Sequence, residues 1–378
     1  MIYLDNSATT KPYKEAVDAV TKYMTDAFGN PSSLHGLGLE AEKAVKKART
    51  QVAGVLGADA GDVYFTGCGT ESDNMAIIGA ARAGRRTGNR IITTKVEHPA
   101  VLEPCSYLEK QGFEVIYLDV DKYGAADLDQ LADAVNDETI LITMMHVNNE
   151  TGAVNDIAKA ASLKGKAIFH TDAVQSFGKE KINVSSDKID MVSVSGHKIH
   201  GPKGTGAIYI KKNLNIVPLI MGGGQEKDMR SGTENVAGIA GFGAAAEKAA
   251  DLKGRREKMA AARNHLLEGI RGSIPDVLIN SPEDGCPSVL NVSFLGTRGE
   301  VILHMLEDNG IYVSTGSACS SNKKGQSHVL SAIGLKPKEI EGAIRFSFSE
   351  FNTVEEMDIV LENLESIVRR FRKLGMFR

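Results

Sequence analysis

Between residues 62 and 210 the chain repeats one pattern. A short run rich in β-branched and apolar residues leads into a turn, and a stretch with helical spacing follows. Strands are expected at Asp62–Thr66, Arg90–Thr94, Glu114–Leu118, Ile140–Met145, Ala167–His170, Met191–Val194 and Gly206–Ile210. The intervening helices are expected at Glu71–Ala83 (capped by Thr70), Ala100–Gln111, Leu128–Val135 and Ala158–Leu163. Short β-rich runs that alternate with helices predict a largely parallel sheet covered on both faces. Two helices precede it: one over 12–27, and one carrying Ala41, Ala44, Val45, Ala48, Val52 and Leu56, with Gly57 as its stop. After Thr233 an alanine-rich, charged helical stretch over Val236–Ile270 is expected to link two domains. Strands at Val289–Phe294 and Ala343–Phe348, with helices at Arg298–Asp308 and Val354–Lys373, suffice for a smaller α/β domain. The 378 residues also exceed the roughly 250–300 that one core accommodates.

Charge and composition narrow the possibilities. A net charge of −4 argues against a surface built to coat nucleic acid. No apolar run reaches bilayer-spanning length, so no membrane role is expected. The N-terminus, Met1-Ile-Tyr-Leu-Asp-Asn6, lacks the basic and apolar regions of a signal peptide, and a cytoplasmic location is expected. Cys68, Cys105, Cys286 and Cys319 are far apart and none forms Cys-x-x-Cys, which speaks against a zinc or disulfide framework. Each is then a small core residue or a reactive thiol.

Open parallel sheets bind ligands beyond the carboxyl ends of their strands. Three segments there are loaded with polar residues and glycine. Thr66-Gly-Cys-Gly-Thr-Glu-Ser72 runs from a strand through glycines into a helix start, where unpaired N–H groups suit a phosphate; the same residues would also serve as a capped helix after a tight turn. Ser193-Val-Ser-Gly-His-Lys-Ile-His-Gly-Pro-Lys-Gly204 crowds cations, hydroxyls and glycines together. It fails as a Walker A loop, because Pro202 stands where lysine is needed, and His197 with His200 has no third metal ligand nearby in sequence. A lysine imine suits it better, since neighbouring cations help deprotonate the amine. His170-Thr-Asp-Ala-Val-Gln175 offers a carboxylate, Asp172, which could hold a pyridinium nitrogen or could cap a helix.

Together these segments resemble the fold-type-I pyridoxal phosphate (PLP) enzymes of the class V aminotransferase family, and within them the NifS/IscS-like cysteine desulfurases. The resemblance runs from Tyr3-Leu-Asp-Asn-Ser-Ala-Thr-Thr10 and Phe28-Gly-Asn-Pro-Ser-Ser33 through Thr70-Glu-Ser-Asp-Asn74, Glu97-His98 and His146-Val-Asn-Asn-Glu150. It continues in Asp172-Ala-Val-Gln175, Ser195-Gly-His-Lys198, Arg230-Ser-Gly-Thr233, Gly316-Ser-Ala-Cys319 and Arg345-Phe-Ser347.

The resemblance implies a large PLP-binding domain over 14–255 with a mainly parallel seven-stranded sheet. It also implies a small domain of 1–13 and 256–378 that carries the catalytic cysteine. Lys198 would bind PLP as a Schiff base and move protons at the substrate Cα. His98 would stack on the ring and share that transfer, Asp172 would pair with the ring nitrogen, and Gln175 would reach the phenolic oxygen. Asn149 would lie near that oxygen and the substrate carboxylate, and Arg345 would clamp the carboxylate. Gly69, Thr70, Ser195 and His197 would hold the phosphate. Thr233 would reach the phosphate of a neighbouring subunit, which requires a homodimer. No metal is implied. Cys319, among the small and polar residues of Ser317–Gly325, reads as part of an exposed loop, and Lys323 and Lys324 would favour its thiolate. It would take sulfur from L-cysteine as a persulfide, release L-alanine, and pass the sulfur to an iron–sulfur scaffold or a tRNA-thiolation enzyme. The loop length resembles the NifS/IscS branch more than the SufS branch. The chain stops at Arg378 after a basic helix, without the longer tail of many scaffold-feeding members, so both acceptors stay open. Cys68, Cys105 and Cys286 are expected to be unreactive. A selenocysteine lyase would use nearly the same site. An aminotransferase would have no use for Cys319. A non-catalytic docking scaffold would need none of Lys198, Asp172, His98 and Cys319.

Overall fold

The structure, a computed structural model, describes residues 1–315 and 326–373. The chain opens with the two-residue strand β1 (Ile2–Tyr3), then α1 (Lys14–Thr25) and α2 (Gly36–Leu56). The alternating region comprises β2 (Val63–Thr66), α3 (Gly69–Gly84), β3 (Arg90–Thr94), α4 (Pro99–Glu109), β4 (Glu114–Leu118) and α5 (Leu128–Ala134). It continues with β5 (Thr139–Thr143), α6 (Ile157–Ser162), β6 (Ile168–Asp172), β7 (Met191–Ser195) and β8 (Gly206–Ile210). After α7 (Val236–Ala249) and α8 (Leu252–Ser273) come β9 (Val277–Ile279), β10 (Val289–Phe294), α9 (Gly299–Glu307) and β11 (Ile311–Tyr312). Helices α10 (His328–Ala332) and α11 (Pro337–Glu341), strand β12 (Ala343–Ser347) and helix α12 (Val354–Lys373) complete it.

Strands β2 to β8 form one seven-stranded sheet in the order β2-β8-β7-β6-β5-β3-β4. Strand β8 runs antiparallel to both neighbours, and the other pairs are parallel. Side chains alternate between the two faces of a strand. Ile92, Ile142, Phe169, Val192 and Tyr209 join one apolar cluster with Val52 and Leu56 of α2 and Phe242 of α7. Their neighbours Ile91, Leu141, Met191 and Ile208 join another with Ile77 of α3 and Val101 and Leu108 of α4. Two separate cores thus press on one sheet, which is why every residue of β5, β7 and β8 is buried. A further cluster gathers Ile2 and Leu4 with residues of α8, α9, α12 and strands β10 and β12. There β12, β10 and β9 form an antiparallel sheet, and β1 pairs in parallel with β11.

Local chemistry accounts for the boundaries. Gly57 closes α2 in the left-handed region (φ 63°), where a side chain would be strained. Two expectations need correcting. Thr70 is not the cap of α3: the N-cap position is Cys68, in extended backbone, and Thr70 falls in the first turn. The stretch over Val236–Ile270 is not one helix. The Asp251 carboxylate accepts from the Gly254 N–H at 3.2 Å and starts a second helix there, the ordinary competition of an aspartate side chain with helix continuation.

The turn carrying residues 196–198 rests on Phe242. This fully buried ring meets Phe65 and Phe177 edge-on, with centroids 6.4 and 6.1 Å away, and a Cβ on Gly196 would come within 3.2 Å of it. Phe242→Ala is expected to lower the unfolding free energy by about 3–5 kcal/mol, read as a lower urea midpoint by circular dichroism. An unchanged midpoint would contradict this packing.

Candidate active site

The carboxyl ends of β2, β3, β5, β6 and β7 surround a cavity of about 260 Å³. Gly69, Thr70, His98, Asn149, Asp172, Gln175, Ser195, His197, Lys198 and Arg345 all line it. Thr233 does not: it is exposed and lines a different cavity with Glu226 and Arg230. Cys319, with Lys323 and Lys324, lies outside the described residues.

Lys198 follows β7 on a single 3-10 turn, and its Nζ donates to the carbonyl oxygens of Ser7 (2.6 Å) and Ala8 (2.9 Å). The N-terminal segment is held there by Thr10, whose N–H and Oγ1 both donate to the His197 carbonyl. Asp172 closes β6, and its Oδ1 accepts from the Val174 N–H at 2.9 Å, so it caps a turn rather than a helix. Burial pushes its carboxyl up to about 6 from 3.8, against the Val174 hydrogen bond and the charge of Lys198, which lower it. His98 sits at the N-cap of α4 with Nδ1 accepting from the Ala100 N–H at 3.1 Å, which leaves the proton of a neutral ring on Nε2. Burial first, and then the charge of Lys198, pull His98 down to about 4, so the ring is neutral at pH 7. Burial does the same to His197, whose Nδ1 lies 3.2 Å from Thr9 Oγ1.

Several features fit a phosphate and a pyridine ring. Gly69 and Thr70 line the cavity in the first turn of α3, where N–H groups have no intrahelical acceptor. Ser195 Oγ is buried without a hydrogen-bond partner among the described residues. A Cβ at Gly69 would stand 2.7 Å from Val174 Cγ2 and would narrow this cradle. A carboxylate (Asp172), an amine (Lys198) and an imidazole (His98) border the remainder. The donor set therefore matches PLP: hydroxyl and N–H groups for its phosphate, a carboxylate for its ring nitrogen and an amine for its aldehyde.

Arg345, on β12, reaches the same cavity. Its Nη1 donates to the Asn149 carbonyl (3.1 Å) and its Nη2 pairs with Asp5 (2.9 Å), while its buried Nε has no hydrogen-bond partner among the described residues. The residues flanking 316–325 are tied to the same place. Ser314 and Arg345 exchange backbone hydrogen bonds, Ser327 Oγ donates to Glu150 (2.6 Å), and His328 Nε2 donates to the Glu97 carbonyl (2.9 Å).

Asp73 was not anticipated. It lines the cavity from the buried face of α3, with Oδ1 unpartnered and 3.7 Å from His170 Nε2. Burial, followed by the charge of Asp172, raises its carboxyl well above the usual range. The signal available was a carboxylate amid Ala76, Ile77 and Ala80 on the apolar side of a helix. Ser7 and Ala8 act through their carbonyls, which no side-chain pattern announces. Cys105 and Cys286 are buried as expected, whereas Cys68 borders the cavity.

Comparison with known proteins agrees with this geometry. Residues 2–360 match the model of the aminotransferase class-V family. The cysteine desulfurase IscS of Methanosarcina thermophila is 46% identical, over 99% of this chain and 93% of that protein. A solved NifS-like protein superposes with a TM-score of 0.92 at 37% identity, over 97% of this chain and 99% of its own. A structure described as SspA in complex with cysteine superposes with a TM-score of 0.83 at 35% identity, over 93% of this chain and all of its own. The chain belongs to the aminotransferase class-V family, whose members of this kind depend on PLP.

The raised Asp172 carboxyl gives a signed prediction for the cofactor-free chain. A proton held more tightly by the folded than by the unfolded state contributes stability that is lost as pH rises from about 4 through about 6. Asp172→Asn does not titrate, so its stability relative to wild type should grow over that window, by on the order of 1–3 kcal/mol, and then level off. Urea midpoints at stepped pH test this, and a difference independent of pH would contradict it.

Proposed function

We propose that this chain is a PLP-dependent cysteine desulfurase that converts L-cysteine to L-alanine, takes the sulfur onto Cys319 as a persulfide, and passes it to an acceptor protein. The observation that carries this is the meeting of Lys198, Asp172, His98, Gln175, Asn149 and Arg345 around one cavity in a chain 46% identical to a named cysteine desulfurase. PLP, when bound, supplies an electron-withdrawing ring that stabilises negative charge at the substrate Cα.

In this reading Asp172 is ionised by the positive ring nitrogen and holds its proton in place. Gly69, Thr70, Ser195 and His197 hold the phosphate, and Gln175 faces the phenolic oxygen. His98 lies against the ring; its neutral imidazole and the Lys198 amine move the Cα proton. Arg345 receives the substrate carboxylate through its unpartnered Nε, with Asn149 beside it. Asp5 keeps the guanidinium in position. Cys319 attacks the substrate sulfur as a thiolate; the sulfur–sulfur bond forms as the substrate Cβ–S bond breaks, and the electron pair of that bond stays with the carbon fragment, which takes up a proton and leaves as alanine. Ser314, bonded to Arg345, and Ser327, bonded to Glu150, are described residues on either side of Cys319 in the sequence, and their anchoring beside the cavity supports this role.

The division into 14–255 against 1–13 with 256–378 is supported by the grouping of Ile2 and Leu4 with the C-terminal apolar cluster. A homodimer is supported by the exposed Phe28, Leu34 and Leu39, and by Thr233 standing outside its own chain's cavity, where it would serve a partner's phosphate. The acceptor is an iron–sulfur scaffold or a tRNA-thiolation enzyme. No described helix is long and apolar enough to cross a membrane.

The purified protein should be yellow and release sulfide and alanine from L-cysteine in the presence of a thiol reductant. Cys319→Ser should stay yellow and lose at least about 100-fold in sulfide release, the loss expected when a nucleophile is removed. Full activity in that variant would refute the role of Cys319. Sedimentation equilibrium should give twice the chain mass, and a monomer at micromolar concentration would contradict the role of Thr233.

A further inference from the structure

Lys179 is a buried cation that the chemistry above does not use. It is 3% exposed, yet among the described residues it forms no ion pair with a carboxylate, and its Nζ has one hydrogen bond, to Gln175 Oε1 at 3.5 Å. Burying an ammonium without a counter-ion is costly, and such a group persists where something else requires it. The backbone around it is fixed from outside: Arg255 donates to the Gly178 carbonyl, and Arg256 donates to the Lys179 carbonyl at 3.1 Å. The ammonium is therefore held in place rather than left there by chance.

Its single contact leads to the active site. Gln175 Nε2 donates to the Ser7 carbonyl at 3.0 Å, and the same carbonyl accepts from Lys198 Nζ at 2.6 Å. An ammonium can only donate, so it selects which end of the Gln175 amide is the oxygen. With Oε1 turned to Lys179, Nε2 must face Ser7 and the cavity. Neutralising Lys179 would leave that selection to the Ser7 carbonyl alone.

We propose that Lys179 is a positioning residue whose buried charge orients the Gln175 amide with Nε2 toward the cavity and keeps the potential at Lys198 positive, so that an oxygen anion is favoured there and a proton on the Lys198 nitrogen is disfavoured. This rests on the reading that Lys198 binds PLP. Burial, together with the positive charges of Lys198 and Arg255, lowers Lys179 to about 8, while Cys286 and Glu350 act in the opposite direction. It therefore still carries its proton at neutral pH. The other titratable or charged groups lining the cavity with Lys198 are Cys68, Asp73, His98, Asp172, His197 and Arg345, and Lys179 adds a positive charge behind them.

The test uses the cofactor-loaded protein and follows the visible absorption of its lysine-bound PLP against pH. Removing a nearby positive charge raises the midpoint of a group that is cationic when protonated. Lys179→Met and Lys179→Gln should retain the cofactor and shift this midpoint upward by about one unit, a tenfold change in the proton equilibrium. Lys179→Arg keeps the charge and should stay within about 0.3 unit of wild type. A purely structural lysine would alter the unfolding temperature and leave the midpoint in place. An unmoved midpoint in yellow Lys179→Met or Lys179→Gln protein overturns the proposal. So does a folded variant that fails to retain PLP, since phosphate binding is assigned to other residues. If both neutral variants fail to fold, Lys179→Arg decides: a shift of a full unit with the charge retained overturns the proposal, and a wild-type midpoint supports it. A wild-type protein without lysine-bound absorption would instead sink the PLP assignment at Lys198, which keeps the two failures distinct.

Discussion

Two backbone carbonyls, those of Ser7 and Ala8, receive the amine of Lys198, and much else depends on that contact. The segment that supplies them starts at β1, which pairs with β11, and passes Asp5, which bridges to Ser347. It then hydrogen-bonds His197 and His200 through Thr10. The first ten residues thus stitch the C-terminal strands to the lysine turn of the seven-stranded sheet. Arg345, on β12, reaches the cavity because β12 is fixed by the same stitching. Placement of the Arg345 guanidinium and placement of the Lys198 amine are one mechanical problem with one solution.

Electrostatics follow from burial at the same place. Desolvation raises the carboxyls of Asp73, Glu97 and Asp172 and lowers His98, His146, His170 and His197. In the cofactor-free chain each shift favours the neutral form, because the cavity provides few counter-charges. Glu97, raised to about 8, accepts from the Met145 N–H and from Thr94 Oγ1, and it immediately precedes His98. A ligand bearing a positive ring nitrogen and a negative phosphate would supply the missing charges where Asp172 and the start of α3 await them. Opposite charges a few ångströms apart in such a setting are worth several kcal/mol, far more than exposed pairs such as Lys14–Asp18.

The fold was legible where burial is two-sided. Strands Arg90–Thr94 and Gly206–Ile210 coincide with their expected bounds because both faces are covered, and the half-buried edge strand Glu114–Leu118 coincides through its β-branched and aromatic residues. Strands β1, β9 and β11, of two or three residues, are too short to show a period and exist through their partners. The division of α7 from α8 was present in the sequence as Asp251, but its effect was outweighed by the helical composition around it. At the site, side chains at strand ends were legible because loops after parallel strands carry chemistry. Asp73 was hidden by its position inside a helix, and Ser7 and Ala8 by their use of backbone atoms. Lys179 lies four residues beyond Gln175 and resembles any surface lysine in sequence; only its burial distinguishes it.

The central claim is that Lys198 is the attachment point of the cofactor. It is tested most directly by reducing the purified protein with borohydride, digesting it, and locating the pyridoxyl group by mass spectrometry. The adduct is expected on the peptide that contains Lys198. A pyridoxyl group on another lysine such as Lys179, or none on a yellow protein, would contradict the account.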